Sequence, residues 1–119
     1  MRFFMTQHDD AVSLRQMLDH SLEAVELVRE RSRADLDRDR VLELALIRLV
    51  EIVGEAANRV SLRCQEQHPE VAWREIIGLR NRLIHGYDSI NHDMLWRILT
   101  GDFPGLVTVL RAATGASNS

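Results

Sequence analysis

An arginine and a histidine separated by four residues are the side chains best suited to chemistry in this sequence. Arg80 and His85 belong to the run Arg-Asn-Arg-Leu-Ile-His-Gly-Tyr at positions 80–87. Imidazole titrates near neutrality and serves as base or acid, whereas guanidinium stays charged and holds two phosphate oxygens at once. These properties suit RNA cleavage without a metal, which needs a base for the 2′-hydroxyl, a cation at the phosphate and an acid for the leaving oxygen. Asn81 is the candidate to orient the phosphate or the imidazole.

A purely structural role is the alternative for the same residues. A histidine before a glycine at a helix end is often a cap, where its charged form favours the helix dipole. On a helical wheel Arg80 falls near the centre of an apolar arc that includes Trp73 and Ile76. Because an unpaired buried charge is costly, Arg80 must meet a carboxylate inside the protein or line a cleft that admits an anion. Glu55 is the candidate partner, although its wheel position also suits an exposed carboxylate.

The two side chains do not converge on a regular helix, since five residues turn His85 about 140° away from Arg80. Two arrangements would bring them together. Either the helix ends near His85, where Gly86 suits the left-handed C′ position, or a second copy of the chain supplies the facing wall of a cleft.

Helical periodicity throughout the chain predicts an all-α, antiparallel bundle of four main helices, or five if Pro104 breaks the last. The first helix is expected to be capped by Asp9 or Asp10 and to end near Arg31. The second is expected to start between positions 35 and 39 and to run to about Gln67. Its apolar surface is wider than one stripe, which suggests packing on more than one side, within the bundle or across a dimer.

The second half of the chain carries the candidate site. A third helix is predicted from Val71 or Trp73 to about Ile84, and Asn91 is expected to cap a fourth segment. Gly54 in the middle of the second helix costs roughly 1 kcal/mol of helix propensity and so suggests a close helix approach. We expect one domain over residues 1–113 and a flexible tail over residues 114–119.

Composition limits the classes of function. The net charge is −3, and the 15 basic residues are all arginine. Because sequence-independent phosphate binding normally uses a basic surface, any RNA contact must be local. The single Cys64 fits a reducing cytoplasm, and no signal peptide, membrane segment or metal-ligand spacing is recognisable. The acidic residues Glu75, Asp88, Asp93 and Asp102 are scattered without metal-ligand spacing, so they are not expected to be catalytic. His8, His20 and His92 are expected to be surface residues.

The run at 80–87 also resembles the Arg-x4-His-x-Tyr signature of HepT-like ribonuclease toxins in the HEPN superfamily. The similarity extends over residues from about 40 to 110, through segments in the order and spacing of that family: residues 52–57, Pro69, residues 73–79, Trp96 and residues 102–104. It implies a HEPN-like homodimer that cleaves RNA in the cytoplasm, with Arg80, Asn81 and His85 at the site and without a metal or cofactor.

The same resemblance implies a partner and a modification. HepT-like toxins are neutralised by an MntA-like nucleotidyltransferase antitoxin that attaches AMP to a tyrosine, which corresponds to Tyr87. The plain alternative is a tyrosine that seals the end of the bundle. Arg74 and Arg82 are candidates to contact RNA or an acidic antitoxin, or are simply exposed. A non-catalytic helical subunit that binds a nucleotide or a partner in a nucleotidyltransferase complex is the alternative function.

Overall fold

The structure, a computed structural model, describes the backbone of residues 3–85 and 89–115 and the side chains of residues 10–84 and 89–115. It confirms the all-α prediction. The helices in chain order are α1 (Phe3–Val28), α2 (Asp35–Arg38), α3 (Arg40–Arg59), α4 (Leu62–Gln67), α5 (Trp73–Ile77), α6 (Leu79–Leu83), α7 (His92–Arg97) and α8 (Phe103–Thr114). A π-helical turn (Ile98–Asp102) joins α7 to α8, and two short strands, β1 (Ile84–His85) and β2 (Ser89–Ile90), pair between α6 and α7.

The core lies where α1 packs along both α3 and α8. Fully buried side chains from these three helices fill it, including Met17, Leu46, Val53, Phe103 and Leu110. The shorter α5 and α6 pack on α3, so the candidate site rests on the bundle through that helix. None of the described helices combines the length and apolar character needed to cross a bilayer.

The first helix begins earlier than its acidic residues suggest. The chain is already helical at Phe3, so the prediction that Asp9 or Asp10 caps α1 is wrong. The Asp10 carboxylate instead accepts hydrogen bonds from the backbone amide and hydroxyl of Ser61, at 2.8 and 2.7 Å. Asp10 therefore ties α1 to the turn after α3, a contact between residues far apart in sequence.

The long second helix is interrupted at Val60, where the backbone becomes extended. The predicted continuation to Gln67 is wrong because the Ser61 hydroxyl accepts from the amide of Cys64 and starts the separate helix α4. The other end agrees with the prediction: Asp39 caps α3 by accepting from the amide of Leu42. The short α2 precedes this cap.

The last helical segment passes through Pro104 without a break. Asn91 caps α7 through the amide of Met94, as predicted. Pro104 lies in the first turn of α8, and the Phe103 amide before it reaches back five residues to the carbonyl oxygen of Ile98. This wider π turn accommodates a residue that cannot donate a backbone hydrogen bond. The helix ends at Gly115, whose φ of 72° is left-handed.

Candidate active site

The helix predicted to carry the site is two helices joined at Gly78. This glycine has φ −85° and ψ 7°, which ends α5 and begins α6. Its amide donates to the carbonyl oxygen of Arg74 at 3.0 Å, and its own carbonyl accepts from the amide of Arg82 at 3.2 Å. The ψ of Gly78 departs from that of an α-helix, which rotates α6 relative to α5. A single helical wheel therefore does not describe the residues on both sides of position 78.

Arg80 is consequently exposed rather than set in an apolar arc, so the wheel placement was wrong. In α6 the buried positions are Leu79 and Leu83, which anchor the helix to the core, while Asn81 is exposed beside Arg80. Arg80 has no ion-pair partner among the described side chains. Because Arg80 is exposed, burial imposes no need for an internal carboxylate.

Glu55 does not form the predicted pair with Arg80 in the described part of the chain. It is exposed on α3, and its Oε2 atom lies 3.6 Å from Nη1 of Arg48. The two residues are two helical turns apart on the same helix, which places them on the same face. Arg48 also reaches Glu51 at 3.5 Å, so these charges form a surface cluster along α3.

The chain leaves the helix two residues before His85. α6 ends at Leu83, and β1 pairs antiparallel with β2, so that His85 lies opposite Ser89 and Ile84 opposite Ile90. The amide of Asn91 closes the base of this hairpin by donating to the carbonyl oxygen of Leu83 at 2.9 Å. The divergence expected on a regular helix therefore does not apply to His85.

The remaining predicted site residues, from His85 to Tyr87, lie toward the tip of this hairpin. The side chain of His85 and the whole of residues 86–88 lie outside the described residues. The expectation that Tyr87 is modified accordingly remains a prediction, whereas the expectation that Gly86 takes the C′ position of the helix is wrong, because α6 ends at Leu83 and His85 already lies in β1.

Arg82 is directed across α6 toward the π turn. Its Nη2 atom lies 3.3 Å from Oδ2 of Asp102 and 3.4 Å from the sulfur of Met94. The negative charge of Asp102 thus offsets the positive potential of this guanidinium, which weakens the prediction that Arg82 is a free cation for RNA. Arg74, by contrast, is exposed on α5.

Arg82 and Asp102 also border a cavity of about 550 Å³ between α5 and α8. Its other walls include Glu75, Ile76 and Leu106.

A cluster that the sequence did not reveal lies at the other end of the hairpin. His92 was expected to be a surface residue, yet its Nδ1 atom is 2.7 Å from Oδ1 of Asp37 and its Nε2 atom is 2.6 Å from Oε2 of Glu43. The three residues come from α7, α2 and α3, so no spacing in the sequence could have indicated them. The one local signal in the sequence is the predicted Asn91 cap, which indicates that His92 begins a helix.

The charges of this cluster shift its protonation equilibria. Hydrogen bonds with Glu43 and then Asp37 raise the pKa of His92. Burial raises the pKa of the Glu43 carboxyl, but the hydrogen bonds from His92 and Arg40 outweigh it, so the net pKa is lowered. The pKa of Asp37 is also lowered, mainly by its hydrogen bond from His92 and also by that from Arg33.

The arrangement around α6 suits the binding of an anion at the surface. A short helix anchored by Leu79 and Leu83 presents Arg80 and Asn81 to solvent and leads directly into the strand that contains His85. A guanidinium and an amide in this position can bind phosphate oxygens. The described residues contain no cluster of His, Cys, Asp and Glu that would hold a metal ion.

Comparison with known proteins identifies the family. The model of the ribonuclease HepT-like family matches residues 17–113. "Putative RNase MJ1380" of Methanocaldococcus jannaschii is 32% identical over 100 residues, which cover 84% of this chain and 92% of that protein. "Probable ribonuclease HepT" of Thermococcus cleftensis is 35% identical over 98 residues, or 79% of this chain and 89% of that protein. No solved structure matches the chain with significance.

Proposed function

Because the chain belongs to the ribonuclease HepT-like family, we propose that it is a toxin that cleaves RNA internally without a metal, with Arg80 and His85 as its catalytic pair. The observation that carries this proposal is the exposure of Arg80 and Asn81 on a helix that leads into the strand of His85. An arginine held in an internal ion pair could not meet a phosphate, and Arg80 has no such pair among the described side chains.

The proposed reaction uses the ribose itself as the nucleophile. A histidine base takes the proton of the 2′-hydroxyl, the 2′-oxygen attacks phosphorus, and the bond from phosphorus to the 5′-oxygen breaks as that oxygen receives a proton. The products are a 2′,3′-cyclic phosphate and a 5′-hydroxyl. Arg80 stabilises the charge on the phosphate oxygens, and Asn81 orients the phosphate or the imidazole.

A homodimer completes this mechanism because one histidine cannot be base and acid in the same step. Two facing copies supply two histidines and two arginines to one cleft. The exposed apolar side chains support such an interface: Val41 is 78% exposed, Leu44 48% and Ile84 43%. These side chains, on α3 and β1, are the candidates for the surface that a second copy would cover.

The proposal includes a nucleotidyltransferase antitoxin as the neutralising partner in the cytoplasm. It would attach AMP to the Tyr87 phenol, two residues from His85, and so obstruct the same cleft. Arg74 is an exposed candidate contact for RNA or for an acidic face of this antitoxin.

RNA cleavage in excess EDTA, with intact mass recorded on the same samples, tests the proposal. Wild-type protein of unmodified mass should cleave RNA and leave cyclic phosphate ends, whereas His85→Ala should fold and leave RNA intact. Unmodified wild-type protein that leaves RNA uncut would favour the alternative, a non-catalytic subunit that binds a nucleotide or a partner. A mass increased by one AMP identifies a silenced enzyme, which is then assayed after the AMP is removed.

A further inference from the structure

The residue that follows the hairpin is held from both sides by another part of the bundle. His92 is the first residue of α7, and its two ring nitrogens contact carboxylates on α2 and α3, those of Asp37 and Glu43. We call these three residues the His92 clamp. The side chains of His92 and Glu43 are partly shielded, at 21% and 11% exposed, whereas that of Asp37 is 55% exposed.

The geometry of the clamp requires a charged imidazole. Ionised carboxylates only accept hydrogen bonds, so both ring nitrogens of His92 must donate, which only the imidazolium can do. The raised pKa of His92 and the lowered pKa of Glu43 and Asp37 agree with this assignment.

Further charges surround the clamp from each packed element. The Arg40 guanidinium is 2.9 Å from the second oxygen of Glu43, and Arg33 is 2.9 Å from the second oxygen of Asp37. Arg33 also contacts Asp93 of α7 at 2.6 Å. Three cations and three anions are therefore balanced, so deprotonation of His92 leaves the network one positive charge short and places a ring lone pair against a carboxylate.

The clamp is connected to the strand of the proposed catalytic histidine through three described residues, Asn91, Ile90 and Ser89. His92 follows Asn91, whose amide closes the hairpin on Leu83, and β2 pairs directly with the strand of His85. The two-residue strands offer few hydrogen bonds of their own. The position of β2 thus depends on the position of the first turn of α7. His92 holds that turn against α2 and α3.

We propose that His92 is a positioning residue, which in its charged form clamps the start of α7 to Asp37 and Glu43 and thereby holds the hairpin that carries His85 in its productive place. This inference rests on the proposed function for its catalytic consequence. The mechanical part, that the clamp orders the hairpin, stands apart from any RNA chemistry.

Amide hydrogen exchange tests the mechanical part. In His92→Gln and in Glu43→Gln, protection of the amides of Asn91 and of strands β1 and β2 should fall, while protection in the centres of α1 and α3 stays unchanged. The matched control is His68→Gln, since His68 also faces a carboxylate, that of Glu70 at 3.5 Å, but lies in the turn before α5. Equal hairpin protection in His92→Gln and the control would overturn the clamp, as would a uniform loss of protection throughout the protein.

Cleavage kinetics test the catalytic part. His92→Gln should lower kcat by about ten- to a hundredfold with little change in RNA affinity, because a displaced catalytic group loses rate rather than binding. His92→Arg keeps a permanent cation between the two carboxylates, so it should retain more activity than His92→Gln and extend the active range to higher pH. A kcat and pH profile of His92→Gln identical to the wild type would refute the inference. If the wild type leaves RNA intact, the proposed function fails while the exchange result still decides whether the clamp exists.

Discussion

The α-carbon of Gly54 lies so close to α5 that a β-carbon built on it would be 3.1 Å from the carbonyl oxygen of Ile76. This contact is the near approach that a glycine in the middle of a long helix had indicated. It brings the backbone of α3 against the helix just before Gly78, where the chain turns into α6. The placement of Arg80 and Asn81 therefore depends on a residue with no side chain.

Replacing Gly54 with alanine should destabilise the protein. The added methyl group meets backbone rather than a flexible side chain, so overpacking of about 1–3 kcal/mol should exceed the gain in helix propensity of at most about 1 kcal/mol. Thermal unfolding measures the difference. Gly105→Ala in α8 is the control, because nothing lies within 4 Å of the β-carbon at that position. A Gly54→Ala protein as stable as that control would show that α5 is free to move away from α3.

Removal of the Asp102 carboxylate should strengthen RNA binding without much effect on folding. Arg82 and Asp102 are 32% and 40% exposed, so their pair contributes less than about 1 kcal/mol of stability. In Asp102→Asn, the negative charge beside the Arg82 guanidinium is removed, and affinity for RNA at low salt should rise a few-fold, with the gain lost at high salt. Fluorescence anisotropy with labelled RNA measures both.

The control for this change is Asp19→Asn on α1, which removes the same charge from a pair with Arg15. If both variants bind RNA equally well, the effect comes from net charge and Arg82 has no local role.

The His92 clamp should make stability depend on pH with a predictable sign. His92 has a pKa raised above its ordinary 6.5, so its contribution is complete below that value and is lost as pH rises through the folded-state pKa. Asp37 and Glu43 have pKa values lowered from 3.8 and 4.5, so their contribution is present above those values and is lost as pH falls through the folded-state pKa. The clamp is therefore complete between about pH 4.5 and 6.5.

Denaturant unfolding at a series of pH values measures this dependence. The wild type should lose stability above pH 6.5 relative to His92→Gln, whose stability should vary less over that range. Parallel curves for the two proteins above pH 6.5 would show that His92 keeps the same pKa on unfolding.

Local patterns predicted much of the fold. The apolar periodicity of α1, α3 and α8 indicated an all-α protein, and Asn91 was correctly identified as a cap because an Asx side chain before a helix acts locally. The break at Val60 was missed because the apolar stripe continues up to that residue, and because Ser61, which caps α4, is also bound by Asp10, 51 positions away in the chain. A tertiary hydrogen bond of this kind leaves no periodic signal.

In the candidate site, too, local features were predicted from the sequence and tertiary contacts were not. The residue types at 80–85 indicated where chemistry could occur, but the helical wheel placed Arg80 wrongly because it assumed one phase through Gly78. The His92 clamp joins three elements through single side chains, each unremarkable in its own segment. Such a cluster becomes visible only when the bundle is assembled.

Product analysis of RNA cleavage by wild type, Arg80→Ala and His85→Ala tests the central claim most directly. Each AMP-free protein is given one RNA and its fully 2′-O-methylated copy in excess EDTA. The wild type should cut only the unmodified RNA and leave cyclic phosphate ends, and each variant should lose about a hundredfold or more in rate while keeping the wild-type unfolding temperature. Cleavage of the methylated copy, or wild-type rates in either folded variant, would contradict the assignment of 2′-hydroxyl attack to Arg80 and His85.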